Sequence, residues 1–232
     1  MNNKIDVLDH GHVRLIEAMG NDLSIVRNAR VSYDAEWRTG EDAGKDEKLI
    51  HYLIKNKHTS PLESVQFTFD IKCPLFIARQ WHRHRTWSYN EISARYSELP
   101  EEYYVPDPTI IGIQSSTNKQ MRIIEEKFID EKFDEATIVD AMIIREACRA
   151  SFKEYHKLLL RGVPRELARG VLPMNTYTHF FGTVDLHNLL HFITLRSHSH
   201  AQWEIQQYAN ALLELITPIV PVTVAAYKEL NK

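Results

Sequence analysis

The chain has 232 residues, of which 44% are hydrophobic and 25% are charged, and this balance excludes a disordered, collagen-like or low-complexity protein. Its 28 Lys and Arg residues against 31 Asp and Glu residues give a formal net charge of −3, which excludes a general electrostatic attraction to nucleic acid or to an anionic membrane. The two cysteines are too few for a disulfide framework, and neither a signal peptide nor a membrane span is visible, so we expect a cytoplasmic protein.

The spacing of apolar residues predicts the elements of the first half of the chain. A hairpin is predicted over residues 5–20, a helix over 21–29 and a second helix over 44–57. Alternation of apolar and polar residues predicts a half-buried strand over 65–73. A proline at the first helical position then predicts a helix from 74 to about 83.

The second half of the chain is predicted to be mostly helical. Residues 100–116 are rich in Pro, Tyr, Asp and Ser and are predicted to form a loop. The predicted helices cover, in chain order, 118–133, 137–160, 164–173 and 186–217, the last with an interruption near 197–200. Because helices dominate but strands also occur, we expect a single α+β domain over 1–232, with a small, mainly antiparallel sheet flanked by long helices.

The strongest functional signal is the segment RQWHRHRTWSYNEISAR, from Arg79 to Arg95. A cluster of charges is usually a solvated surface. Here Trp81, Trp87 and Tyr89 alternate with the cations, and exposed aromatic rings beside arginines are typical of a site for a flat anionic ligand. Because the guanidinium fork suits phosphate, this segment favours a phosphate-bearing ligand over a salt-bridged surface.

The same segment contains the pattern RHRxxSxNExSxR between Arg83 and Arg95, and it thereby resembles the signature of flavin-dependent thymidylate synthases. Other segments are similar to that family and occur in the same order: IDVLDHG with GNDLSIVRNARVSY, HTSPLE, GVPRELAR with LPMNTYTHFF, and LRSHSHAQWEIQQYA. Only the region from Pro100 to about Asp140 contributes little to the resemblance.

The resemblance implies an enzyme, a methyltransferase that converts dUMP to dTMP. It implies 5,10-methylenetetrahydrofolate as carbon donor, NADPH as reductant and FAD as bound cofactor, with a hydride passing from flavin N5 to the pyrimidine. Members of the family form homotetramers, so several subunits are implied to contribute to each active site. Neither a nucleic acid nor a membrane is an expected partner.

By their positions in the motifs, two groups of ligand-binding residues are implied. The dUMP group comprises Gln80, Trp81, His82, Arg83, Glu91, Ile92, Ser93, Ala94, Arg95, Arg169 and Arg196. The FAD group comprises Ser60, Arg83, His84, Arg85, Asp185, Leu186, His187 and His191. Arg95 and the region of Ser93 are implied to hold the phosphate, Arg196 to act catalytically by polarising the pyrimidine, and His58 to lie near the flavin and folate. Arg165, four residues before Arg169, is interpreted as structural.

The segment Ser60-Pro61-Leu62-Glu63 also has a purely structural interpretation. Serine, then proline at the first helical position, then glutamate three residues after the serine, predicts a capping box around a single turn. Both roles are compatible, because a helix N-terminus offers backbone N–H groups to anionic ligand atoms.

The histidines at the start of the last predicted helix resemble a pair of metal ligands when considered alone. His187 and His191 are spaced i, i+4, as in an HxxxH zinc pair. Asn188 occupies the position of the glutamate in HExxH, and spacing provides no third ligand, so cofactor-facing histidines are favoured. Because an ionised Asp185 would repel a diphosphate, we expect it to cap the helix or bind a ribose hydroxyl.

Arg196 lies nine residues after His187, which at about 100° per residue places the two side chains on opposite sides of a straight helix. One helix cannot direct both residues into one cavity. If both roles hold, the two helix faces serve different sites, as in an assembly with shared active sites.

The cysteines bear on the mechanism, because C5 of uracil is a poor nucleophile until a thiolate or a hydride adds at C6. Cys73 lies in a predicted strand and Cys148 on the apolar stripe of a predicted helix, so both are expected to pack as small hydrophobic residues. We therefore expect no nucleophilic cysteine, and replacement of both by Ser is expected to leave turnover largely intact.

Considered without the family resemblance, the residues also allow two other functions. A metal-dependent hydrolase would use His82, His84, His187, His191 and Asp185. A single-strand nucleic-acid binder would use the Arg and Trp cluster and show a steep salt dependence. Neither accounts for five separate segments that resemble one family.

Overall fold

A five-stranded antiparallel sheet forms the centre of the structure, a computed structural model that describes residues 3–124 and 131–231. Its strands are β1 (Lys4–Val7), β2 (Gly11–Met19), β3 (Gln66–Pro74), β4 (Ser88–Glu91) and β7 (Tyr177–Asp185). They are ordered β1-β2-β3-β7-β4 in space. A separate two-stranded ladder consists of β5 (Ile113–Gln114) and β6 (Arg122–Ile123).

Helices of very different lengths surround the sheet. They are α1 (Asp22–Val31), α2 (Ala43–Lys55), α3 (Leu75–Trp81), α4 (Glu131–Leu160), α5 (Arg165–Ala168), α6 (Leu186–Arg196), α7 (Trp203–Ile216) and α8 (Pro221–Leu230). No helix in the described ranges is long and apolar enough to span a bilayer. The combination of these helices with one small antiparallel sheet confirms the predicted α+β class.

The central strand β3 has two different faces, as its alternating sequence predicts. Phe67, Phe69 and Ile71 are almost completely buried and belong to the main hydrophobic core, together with residues of α6 and α7. The intervening residues, which include Asp70 and Lys72, point to the opposite face of the sheet. This second face is polar.

The aromatic residues of the basic segment lie in the core, which contradicts the expectation that they are exposed. Trp81 is fully buried and Trp87 nearly so. The ring of Trp81 lies 4.6 Å from that of Phe192 and 5.7 Å, edge-on, from that of Trp87, as centroid distances. The alternation of Trp and Arg therefore reflects a helix end with one apolar and one charged side.

We expect Trp81→Ala to lower the free energy of unfolding by about 3–5 kcal/mol, because the deletion leaves a large cavity among packed rings. Urea unfolding followed by circular dichroism measures the change. Trp37→Ala, at a position 63% exposed, is the matched control and should cost less than about 1 kcal/mol. Similar losses in both variants would contradict the burial of Trp81.

Two local predictions are wrong. Residues 118–124 are not helical: Asn118 Oδ1 accepts the N–H of Gln120 and Arg122 enters β6, because a local side-chain bond competes with helix formation. The remainder of the predicted helix, up to 130, lies outside the described residues. The capping box at Ser60 is also absent, since the 3-10 turn Ser60–Ser64 has no side-chain cap.

Strands β4 and β7 and helix α8 have no counterpart among the predicted elements. In β7, Phe180 faces the core whereas the adjacent Phe181 is exposed. Because both positions are phenylalanine, the sequence here does not show the alternation of apolar and polar residues that predicts a strand. The N-terminus of α8 is capped from a distant part of the chain: Asp22 accepts the N–H groups of Val222 and Thr223 at 2.8 and 3.1 Å. A cap supplied across 200 residues leaves no local sequence signal.

Candidate functional site

The basic segment leaves the end of α3, turns, and returns as the edge strand β4. A half-buried tyrosine holds this turn: the Tyr89 hydroxyl donates to the carbonyl oxygens of Trp81 and His84, at 3.2 and 2.9 Å. Burial raises the pKa of Tyr89, so it stays protonated and remains a donor. Tyr89 is thus a positioning residue that lies within the signature, at one of its variable positions.

Arg196 reaches this turn from the C-terminal end of α6. Its Nε–H donates to Nε2 of His84 at 3.0 Å, and its Nη2 donates to the carbonyl oxygen of Gln80 at 3.3 Å. Burial, with the nearby charges of Arg196 and His191, lowers the pKa of His84 to about 4. A neutral imidazole therefore accepts the Arg196 hydrogen bond at physiological pH.

Several cations around this turn have no compensating anion. Arg83 and Arg85 are exposed, and their side chains make no hydrogen bond or ion pair with any residue that the structure describes. Burial, then the charge of Arg83, lowers the pKa of Arg196, although a guanidinium remains cationic at neutral pH. The site has a net positive potential that would attract an anionic ligand.

The residues predicted to bind phosphate lie next to α5. Arg95 Nε is 3.5 Å from Glu166 Oε2, and both side chains are more than half exposed. Such a pair is weak and easily exchanged for a phosphate. Arg169 follows directly after α5 and is exposed, while Arg165 contacts Glu98 at 3.7 Å.

Backbone and side-chain bonds from β7 hold the strand that precedes Arg95. The N–H of Ile92 donates to the carbonyl oxygen of His179 at 2.9 Å. The hydroxyl of Thr178 donates to the Glu91 carboxylate. Glu91 and Ile92 are therefore fixed relative to the sheet.

Two histidines of the predicted FAD group, together with the histidine predicted to lie near the flavin and folate, line a small cavity of about 190 Å³ between α2, α6 and α8. His58, His187 and His191 all line it. The ring of His191 also lies 6.2 Å from the ring of His84, as a centroid distance. His191 thus connects this cavity with the cationic turn.

His187 and Arg196 lie on different faces of α6, as helical geometry predicts. His187 faces the cavity, whereas Arg196, nine residues later, contacts His84 and Gln80 instead. Asp185 is the N-cap of this helix and accepts the N–H of Asn188 at 2.9 Å. Of the two roles expected for Asp185, the cap is confirmed.

Three apolar members of the predicted ligand groups have buried side chains. Those of Trp81 and Leu186 are fully buried, and Ala94 is 8% exposed. At these positions only backbone atoms are available to a ligand. Ser60 is exposed but caps nothing, so its hydroxyl is not used by the turn.

The histidine set proposed for a metal-dependent hydrolase is not supported by the geometry. The acceptor nitrogen of His84 is occupied by Arg196. The His82 ring packs against those of Tyr89 and Phe180, with centroids 4.6 and 5.2 Å away. Among the described residues, the group with suitable spacing for a metal is a different one, His12, Asp70 and His179.

A larger cavity lies elsewhere in the described part of the chain. It has a volume of about 1030 Å³ and lies between β1, the 101–110 loop, α4 and α7. None of the predicted ligand residues lines it. This cavity is therefore separate from the residues predicted to bind ligands.

Comparison with known proteins identifies relatives over nearly the whole chain. The family described as "Thymidylate synthase complementing protein" matches residues 14–222. A flavin-dependent thymidylate synthase of Thermotoga neapolitana is 46% identical over 224 residues, covering 97% of this chain and 94% of that protein. One of Treponema denticola is 44% identical over 232 residues, covering 100% of this chain and 84% of that protein.

The fold has a counterpart among solved structures. The UMP/dUMP methylase PolB from Streptomyces cacaoi, bound with 5-Br dUMP, superimposes with a TM-score of 0.81 at 33% identity, covering 97% of both chains. The same enzyme bound with 5-Br UMP gives a TM-score of 0.82. Together with the RHRxxSxNExSxR motif and its place around Arg196, these matches show that the chain belongs to the family of flavin-dependent thymidylate synthases.

Proposed function

We propose that this protein is an enzyme that methylates dUMP to dTMP, with FAD as bound cofactor, methylenetetrahydrofolate as carbon donor and NADPH as reductant. The observation that carries the proposal is the contact of Arg196 with His84. It brings the signature segment to the end of α6, where the resemblance implies that flavin and pyrimidine meet. The names of the relatives and the 5-Br dUMP in PolB support the same substrate class.

The residues present are suited to FAD. Arg83 and Arg85 offer uncompensated guanidinium groups, which would hold a diphosphate through charge-assisted hydrogen bonds. His58, His187 and His191 provide a concave, partly apolar wall. Bound FAD would supply the two-electron chemistry that amino-acid side chains lack.

For dUMP we propose that Arg95, Ser93 and Arg169 bind the phosphate and that Gln80 and Glu91 contact the nucleoside. Release of Arg95 from Glu166 costs little, because that contact is long and solvent-exposed. Glu91 is held by Thr178, so its carboxylate is oriented before the ligand arrives. Preorganised groups of this kind lower the entropic cost of binding.

Arg196 is the proposed catalytic residue. A half-buried guanidinium, oriented by His84 and by the Gln80 carbonyl, would stabilise negative charge that develops on the pyrimidine carbonyl. A neutral His84 is required for this orientation, because a protonated imidazole cannot accept the Nε–H. The low pKa of His84, about 4, maintains that state.

The cysteines are poorly suited to act as nucleophiles. Cys73 and Cys148 are both buried, and burial raises the pKa of each thiol. A buried thiol with a raised pKa contains little thiolate at neutral pH. Activation of the pyrimidine by hydride rather than by a cysteine is therefore the mechanism we propose.

We expect the double variant Cys73→Ala/Cys148→Ala to retain dTMP formation within about threefold of wild type. Alanine avoids the cost of burying a serine hydroxyl at these positions. Steady-state assay of the folded variant measures the effect. Loss of catalysis in a variant with a native circular dichroism spectrum and bound FAD would refute the cysteine-independent mechanism.

We further propose that the active sites are shared within a homotetramer. The cationic turn is exposed in the single chain, and His187 and Arg196 diverge on α6, so one chain does not enclose the ligands. Light scattering should give a mass of four chains. A stable, active monomer would contradict shared sites.

An absorption spectrum of the freshly purified protein tests the function as a whole. Flavin bands should be present and should bleach on anaerobic addition of NADPH with dUMP. Subsequent addition of methylenetetrahydrofolate should yield dTMP. A colourless protein that does not take up added FAD would overturn the proposal.

A further inference from the structure

A second cluster of chemically active side chains lies on the polar face of the sheet, away from the cationic turn. It is formed by three neighbouring strands: His12 and Arg14 on β2, Asp70 on β3 and His179 on β7. The register pairs Arg14 with Asp70, and places His12 and His179 on either side of Lys72. The sheet itself therefore brings these residues together, without any loop.

Both histidines direct the same ring atom at the same oxygen. His12 Nε2 lies 3.2 Å from Asp70 Oδ1, and His179 Nε2 contacts that oxygen from the other side. The three potential ligand atoms all lie within 4.8 Å of one another. The Asp70 side chain is only 3% exposed, so its position is set by packing.

The second oxygen of Asp70 has a partner that would support a metal ligand. Arg14 donates from Nε and Nη2 to Oδ2, at 3.0 and 2.5 Å, which leaves Oδ1 to the histidines. Hydrogen bonds of this type orient a ligating carboxylate and are common around metal sites.

The charges near the cluster and its exposure to solvent would both allow a cation to bind there. Lys72, the nearest lysine on this face by register, is paired with Glu102 at 2.6 Å. The side chain of His179 is 45% exposed, so solvent reaches the cluster. An ion could enter here without disturbing the core face of β3.

We propose that His12, Asp70 and His179 bind one divalent transition-metal ion of the Zn²⁺ class, with a fourth position open to water. Two imidazole nitrogens and one carboxylate oxygen match the ligands that Zn²⁺ takes. Two nitrogen ligands also favour Zn²⁺, Co²⁺ or Ni²⁺ over Mg²⁺ and Ca²⁺, which prefer all-oxygen sites. The ion would replace the two N–H contacts on Oδ1 by direct coordination.

Such an ion would take no part in the proposed reaction, but its ligand His179 is linked through the backbone to the proposed dUMP-binding segment. The carbonyl of His179 accepts the Ile92 N–H, and Ile92 precedes the proposed phosphate-binding residues by a few positions. A metal at His179 would restrain this part of β7 and, through it, the adjacent segment. The site requires neither FAD nor dUMP, so its test is independent of the proposed function.

Titration of untagged, chelator-treated protein with Co²⁺ tests the site. We expect one equivalent of Co²⁺ to bind with a visible ligand-field band, and Zn²⁺ to displace it. His179→Gln should weaken binding by at least about tenfold, and Asp70→Asn should do so as well. Because His179 is part-exposed and Gln can still donate to Asp70, the metal-free His179→Gln protein should keep the unfolding temperature of metal-free wild type.

Two controls make the result specific. His156→Gln removes a part-exposed histidine near Glu101 and should leave Co²⁺ binding unchanged. A His198→Gln/His200→Gln variant removes an exposed pair whose rings lie 4.7 Å apart and should also bind normally. Unchanged affinity in His179→Gln, or loss of binding only in the His198/His200 variant, would overturn the proposal.

Discussion

Replacement of Arg196 by Ala is expected to lower kcat for dTMP formation by about 100- to 1,000-fold, the usual loss when one preorganised electrostatic group is removed from an active site. The guanidinium is half-buried, and two hydrogen bonds hold it, one to neutral His84 and one to the Gln80 carbonyl. Arg196→Lys should remain strongly impaired, because an ammonium group cannot reproduce the planar fork that makes both contacts.

Single-turnover assays at saturating dUMP and folate isolate this effect from substrate binding. Arg165→Ala is the matched control, since it also removes one guanidinium but from an exposed contact with Glu98. That variant should retain near-normal turnover. A kcat for Arg196→Ala within a few-fold of wild type, with FAD still bound, would exclude Arg196 from the chemical step.

Replacement of Arg95 by Ala is expected to raise the Kd of dUMP by about 10- to 100-fold, which corresponds to the loss of a hydrogen bond to a charged group. The Kd of FAD should change little, because Arg95 lies beside α5 and Glu166, whereas the histidines proposed to contact the flavin, His58, His187 and His191, line the α2/α6/α8 cavity. Equilibrium titration of the oxidised enzyme with dUMP measures the change.

Glu166→Gln tests the other partner of the same contact, because it removes the anion instead of the cation. It removes the anion that competes with phosphate for Arg95, so dUMP should bind as tightly as in wild type or slightly more tightly. Equal losses of dUMP and FAD affinity in Arg95→Ala would indicate a folding defect or a wrong assignment of the phosphate site.

Much of the candidate site is visible in the sequence because its residues are close together along the chain. The pattern from Arg83 to Arg95 identifies the family without any structure. Helical spacing alone predicts that His187 and Arg196 diverge, and the structure confirms it. The cap role of Asp185 follows from its position before a helix and is also confirmed.

The errors arise where contacts that apolar spacing does not reveal determine the structure. Trp81 and Trp87 alternate with cations along the chain, but the short helix α3 and the turn after it direct both rings into the core. Periodicity could not reveal this, because α3 has only seven residues, about two turns. Likewise, residues 118–124 have a helical apolar spacing, but a local Asn118 contact and the pairing of β5 with β6 determine their structure.

By itself, the sequence determined the family, the mixed class of the fold and most of the cationic residues that we propose for ligand binding. Only the tertiary structure decided that Arg196 contacts His84, 112 residues away, and that three strands bring His12, Asp70 and His179 to one point. Local patterns report on neighbours within a few residues. Strand pairing joins positions that lie far apart in the chain, and no local pattern specifies which of them will meet.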